Sequence, residues 1–123
     1  MPRPTNAERL ANYERRYREL AAQLADIGLI ASGSVIRRHS KCGTPTCRCH
    51  ADPPQLHGPY WQWSAKRDGK TVTRNLTDQE AALYKEWIAN DRELRRITTQ
   101  MRNTAEKATT LMLKQAKLTR PRV

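Results

Sequence analysis

The chain has 123 residues, 37% of them hydrophobic and 28% charged, with no Phe; a chain of this size and make-up buries no large apolar core and leans on helices, a metal or a second copy. Its 23 Lys and Arg against 12 Asp and Glu give a formal charge of +11, the balance of a phosphate-binding surface. No apolar run approaches the ~20 residues that cross a bilayer, and the opening Met-Pro-Arg-Pro-Thr-Asn has no secretory apolar segment, so the expectation is a cytoplasmic, reducing setting without membrane.

After a short Pro-containing arm, Thr5 and Glu8 are spaced as a capping box. Leu10, Tyr13, Tyr17, Leu20, Leu24 and Ile27 then recur at alternating steps of three and four, a heptad seam. With Gly28 as the stop, the spacing predicts a helix over Asn6 to Ile27. Residues 1–32, the first of three segments, carry five basic and four acidic side chains, which reads as an ordinary solvated face.

Leu29 to Gly33 reads as a turn and Ser34 to His39 as a short strand, to which β-branched Val35 and Ile36 are suited. The strand leads into Cys42–His57, which holds all three cysteines and two of the three histidines. Cys42, Cys47, Cys49 and His57, spaced C-x4-C-x-C-x7-H, offer the four donors that a tetrahedral Zn2+ takes. His50 stands in reserve, because adjacent side chains diverge and cannot easily share an ion with each other, whereas Cys47 and Cys49 point the same way in extended backbone. His39 is a weaker substitute.

The spacing differs from the common C-x2-C pairs, and three readings compete with the metal: a disulfide, which a reducing setting disfavours; a Cys47/Cys49 redox pair activated beside Arg48; and unliganded loop cysteines. The site reads as structural, since the one nearby carboxylate, Asp52, sits in a proline-rich loop and a catalytic zinc needs an open position and a base. The expectation is therefore no enzyme, with a zinc hydrolase as a minor alternative.

Gly58-Pro59 opens a hairpin: Tyr60 to Arg67, Asp68-Gly69, then Lys70 to Leu76. A two-residue Asp-Gly loop specifies a type I′ turn and so sets Arg67 opposite Lys70, Ala65 opposite Val72, Trp63 opposite Arg74 and Trp61 opposite Leu76. Trp61, Trp63, Ala65, Val72 and Leu76 then share one face. The tryptophans on this apolar face are read as packing in preference to base stacking, with Arg74 over Trp63. Residues 33–76, the second segment, carry Arg37, Arg38, Lys41, Arg48, Lys66, Arg67, Lys70 and Arg74 against only Asp52 and Asp68, and these eight are the candidate nucleic-acid contacts.

Thr77 and Glu80 form a second capping box, and neither Pro nor Gly follows until after Arg120. The seam Leu83, Trp87, Asn90, Leu94, Ile97, Met101, Thr104, Ala108 and Leu111 predicts a long helix in residues 77–123, firmly packed to Met101 and frayed or partner-dependent beyond. Asn90 either sets register or oligomer state or faces solvent. From Arg102 onward six basic residues face only Glu106. The expected architecture is α+β: an antiparallel, coiled-coil-like pair of helices flanking a small zinc-stapled β-hairpin unit, with a homodimer or larger assembly covering what one copy leaves open.

The run Lys-Cys-Gly-Thr-Pro-Thr-Cys-Arg-Cys-His, then His57-Gly58-Pro59-Tyr60-Trp61-Gln62-Trp63 and Gly69 to Arg74, resembles a family of small uncharacterised prokaryotic proteins with a basic cysteine motif and an His-Gly-Pro-Tyr signature, often encoded near transposases. The resemblance spans roughly residues 10–100 and implies Cys42, Cys47, Cys49 and His57 as the site. It carries over no established activity, and the genomic association implies work on DNA. The resulting expectation is a small zinc-binding accessory or regulatory protein that binds nucleic acid, DNA in preference to RNA. The alternative is a coiled-coil adaptor for a transposase, recombinase or other acidic partner.

Overall fold

A computed structural model describes residues 2–119, so Arg120 and Arg122 of the basic C-terminal segment lie outside the described residues. In chain order the main elements are α1 (Asn6–Leu24), β1 (Ser34–Ser40), β2 (His57–Arg67), β3 (Lys70–Leu76) and α2 (Asp78–Thr119). The fold is α+β, with one helix before and one after an antiparallel three-stranded sheet of order β1-β2-β3. Two compact units form, one from Gly28–Asp91 and one from α1 with α2 beyond Arg92.

In the helical unit, Thr5 caps α1: its hydroxyl accepts from the Glu8 amide at 3.1 Å while the Glu8 carboxylate accepts from the Thr5 amide at 3.2 Å. The helix ends at Leu24, three residues before the predicted Ile27, because the Asp26 and Ile27 amides turn back onto the Gln23 and Leu24 carbonyls. Gly28 does not take the left-handed conformation of a helix stop. Further along, α2 stays helical well past Met101 and buries Ala108 and Leu111, along with Ile97 and, on α1, Leu20. The stretch expected to fray is helical, and Tyr13 and Tyr17 share a groove with its Ala105 and Ala108. Arg9, near the start of α1, shares another with Lys114, near the end of α2, so the pair is antiparallel.

The Gly28–Asp91 unit is built on β2. Its pairing with β3 has the register read from the Asp-Gly loop, Arg67 to Lys70, Ala65 to Val72, Trp63 to Arg74 and Trp61 to Leu76, and positive φ of 52° at Asp68 and 77° at Gly69 fits the type I′ turn. The strand read at Ser34 to His39 forms as β1, and its pairing was not foreseen: it runs along the other edge of β2, Val35 against Trp63 and Arg37 against Trp61. One sheet face packs on the first turns of α2, burying Trp63, Ala65, Leu76, Ala81 and Ile88, with Tyr84 stacked on Trp63 at 5.2 Å between ring centres. Leu83, first in the predicted seam, is 41% exposed, because a sheet rather than a helix meets this stretch and selects Ala81, Tyr84 and Ile88.

Residues 29–33 wrap this core in place of the predicted compact turn. The Ala31 amide donates to the Trp87 carbonyl and the Trp63 indole donates to the Ser32 carbonyl at 2.9 Å. Gly33 has φ +100°, and a Cβ there would stand 2.4 Å from the Ser64 carbonyl oxygen, so only glycine fits. The Asn90 side-chain amide donates to the Leu29 carbonyl at 2.8 Å.

Candidate metal centre

Two successive turns shape the cysteine stretch. The Cys47 amide donates to the Thr44 carbonyl, with Pro45 at the position whose fixed φ suits such a turn. Arg48–His50 then makes a single helical turn, closed by the His50 and Ala51 amides on the Cys47 and Arg48 carbonyls. Cys47 and Cys49 thus converge through a turn, not along the extended backbone expected from their spacing. The Gln55 amide returns to the Arg48 carbonyl and leads the chain into β2, where His57 pairs with Ser40 across a bulge. Gly58, at φ +118°, lets that bulge form: a Cβ would lie 2.8 Å from the Arg38 carbonyl oxygen.

The result is a cluster of three sulfurs and one imidazole whose candidate ligand atoms, on Cys42, Cys47, Cys49 and His57, all lie within 4.8 Å of one another. Cys42 Sγ and Cys49 Sγ are 3.6 Å apart, and Cys47 Sγ is 3.2 Å from His57 Nε2. A tetrahedral ion with metal–sulfur bonds of about 2.3 Å requires sulfurs about 3.8 Å apart, close to the 3.6 Å between Cys42 and Cys49. All three cysteines are free thiols, far from the ~2.05 Å of a disulfide. The four residues can hold a metal ion. His50 turns outward and its Nε2 lies 2.7 Å from the Cys42 carbonyl oxygen, leaving it outside the cluster; His39 and Asp52 are exposed and also outside it.

Electrostatics favour the thiolate at Cys42 and Cys47. The Cys42 thiol is drawn down to about 6, first by a backbone hydrogen bond at Thr44 and then by Cys49 and His57. Cys47 is lowered chiefly by the backbone at Cys49. Burial pushes the Cys49 thiol up, although the Cys42 amide donates to its sulfur at 3.3 Å. His57 is raised by its hydrogen bonds to Cys42 and then Cys47, as an imidazole beside thiolates must be.

The eight basic candidates are all exposed, but they do not form one surface. Neighbouring residues on a strand point to opposite faces, which separates Arg37 from Arg38 and Lys66 from Arg67. On the packed face, Arg37 lies 5.0 Å from the Trp61 ring centre, and Arg67 and Arg74 each lie 5.7 Å from that of Trp63. Arg74 also donates to the Tyr84 hydroxyl. Arg38 instead donates to Gln62 Oε1 at 3.3 Å on the other face. Lys41 and Arg48 flank the cysteines in sequence, and Lys70 begins β3 beside the hairpin tip. Two residues that sequence reasoning passed over complete the Trp61 surroundings: Asp78 accepts its indole N–H at 2.8 Å, and Lys85 Nζ stands 3.9 Å from its ring centre. Their place at the start of a helix following the hairpin was the only available signal.

Among the described residues no helix is long and apolar enough to cross a membrane. The protein family described as a domain of unknown function, DUF6788, matches residues 10–85, which include the whole sheet and all four clustered ligands. No curated protein and no solved structure matches the chain.

Proposed function

The chain belongs to the DUF6788 family, and we propose that it is a small zinc-stapled accessory or regulatory protein that binds nucleic acid, DNA in preference to RNA, in the service of a mobile genetic element. Three thiolates and an imidazole form a closed, soft-to-borderline donor set of the kind that selects zinc for structural use. Bound there, zinc supplies geometry and charge compensation, joining the end of β1 to the start of β2, and no reaction. Cys42, Cys47, Cys49 and His57 hold it; Arg37, Arg38, Lys41, Arg48, Lys66, Arg67, Lys70 and Arg74 are the side chains available to phosphate.

The observation that carries the nucleic-acid reading is the excess of these eight exposed cations, with only Asp52 and Asp68 to offset them in residues 33–76. Phosphate contacts release counterions, so affinity for DNA should fall about a thousand-fold between about 50 and 200 mM salt if some six phosphates are engaged. Electrophoretic mobility shifts of mixed-sequence DNA over a salt series test this with the purified full chain. A salt-sensitive shift is expected, and no shift at the lowest salt would reject the reading.

A second reading, an adaptor that docks on a transposase, recombinase or other acidic protein as a homodimer or larger assembly, draws on exposed Met112, Leu113 and Leu118 late in α2. An adaptor of this kind would leave free DNA unshifted and would sediment as more than one copy.

A further inference from the structure

The sheet has a second face that no helix of the same unit covers. Gln62 and Ser64 lie on its central strand, where a packed sheet would bury them, yet both remain half-exposed; Ile36, Tyr60 and Asn75 beside them are exposed. Resting on the nucleic-acid reading above, we infer that this open face is the binding surface and that its ligand is a single strand: Tyr60 stacks on an unpaired base, Gln62 and Asn75 meet its edge, and Arg38 and Lys66 hold the phosphates.

The opposite face is already spent. Trp63 is 2% exposed, and the Trp61 ring has Arg37 and Lys85 against it and its N–H on Asp78. An incoming base finds no free tryptophan ring there. On the open face the alternation of β1, β2 and β3 places no Asp or Glu, so the charge of Arg38 and Lys66 is uncompensated and complementary to a phosphodiester chain. Tyr60 is 40% exposed and, with Arg38, Ser40, Gln62 and Asn75, lines a depression of about 240 Å³. The bond from Arg38 to Gln62 Oε1 holds the guanidinium across the central strand while the Gln62 amide nitrogen keeps its donor capacity.

Geometry separates single strand from duplex. The major groove admits a helix or a two-stranded ribbon, whereas three strands about 4.8 Å apart present a broad, shallow surface of short polar side chains. An aromatic ring on such a surface meets a base face only where the base is unpaired, and stacking of this kind tolerates any sequence. The face also adjoins the staple: Tyr60 follows His57 by three residues, and Ser40 precedes Cys42 by two.

Fluorescence polarisation of labelled mixed-sequence DNA, as a single strand and as the annealed duplex, together with a single-stranded RNA of the same sequence, tests the assignment at low salt with the full chain. The variants are Tyr60→Ala, Tyr60→Phe, Gln62→Ala and, from the helix on the other face, Lys85→Ala. The expected result is tighter binding of either single strand than of duplex. Tyr60→Ala should weaken it roughly ten-fold or more, Tyr60→Phe should restore it because the ring remains, and Lys85→Ala should leave it nearly unchanged. Equal binding by Tyr60→Ala and the unaltered chain, or a preference for duplex, would overturn the assignment while leaving nucleic-acid binding intact. Binding of none of the three probes by the unaltered chain would remove both the assignment and the nucleic-acid reading.

Discussion

Two ends of one sheet are held by different physics. Around Trp63, apolar and aromatic groups from β2, β3 and α2 close on one another; around Cys49, which is equally inaccessible at 0% exposure, the neighbours are two more sulfurs and an imidazole. The first is stabilised by burial in the folded chain itself. The second has almost no apolar surface to bury and is held only as far as its donors share an ion. A small, Phe-free chain can thus spend its few large side chains at one end and leave the other to coordination chemistry.

The sharpest way to break the packed end is Trp63→Ala, expected to cost about 3–5 kcal/mol and to lower the unfolding midpoint by the same amount with metal or with chelator. Equal loss in both conditions marks the two ends as independent, whereas a loss that appears only in chelator would mean that the metal end carries the fold. Acid should act on the other end alone. The Cys42 thiolate, present above about 6, takes back its proton as pH falls through that value, while the Cys49 thiol, pushed up by burial, still competes with metal above it, so metal affinity should fall with falling pH and fall more steeply below about 6; competition with a chromophoric chelator over pH 5 to about 8 reads this, and a flat profile through that window would contradict it. A smaller effect, about 1 kcal/mol, is expected for Asn90→Ala, which removes the bond to the Leu29 carbonyl that ties down the strap over Trp63. Chemical denaturation measures it, and no change would show the strap to be held by Gly33 and the Ser32 carbonyl without it.

What could be read from the sequence was local. Both capping boxes, the Asp-Gly turn and every pair it implied along β2 and β3 lie within a few residues of their cause. The four clustered ligands were also legible, because thiols and imidazoles concentrated in sixteen residues leave few other partners, though the turn that converges Cys47 and Cys49 was not. The rest needed distant chain. Pairing of Val35 with Trp63 joins residues far apart in sequence and has no turn signal between them. Leu83 fitted a heptad yet lies exposed because a sheet, with its own spacing, covers that part of α2. Thr104 and Ala108 looked too weak to pack, yet Ala108 is buried and lines one groove with Tyr13 and Tyr17.

Metal analysis of the purified full chain, paired with thiol titration before and after a strong chelator, addresses the staple most directly. One zinc per chain is expected, with all three cysteines slow to react until the ion is withdrawn and quick thereafter. Protein that arrives without metal, with three reactive thiols and an unchanged spectrum in chelator, would contradict the account.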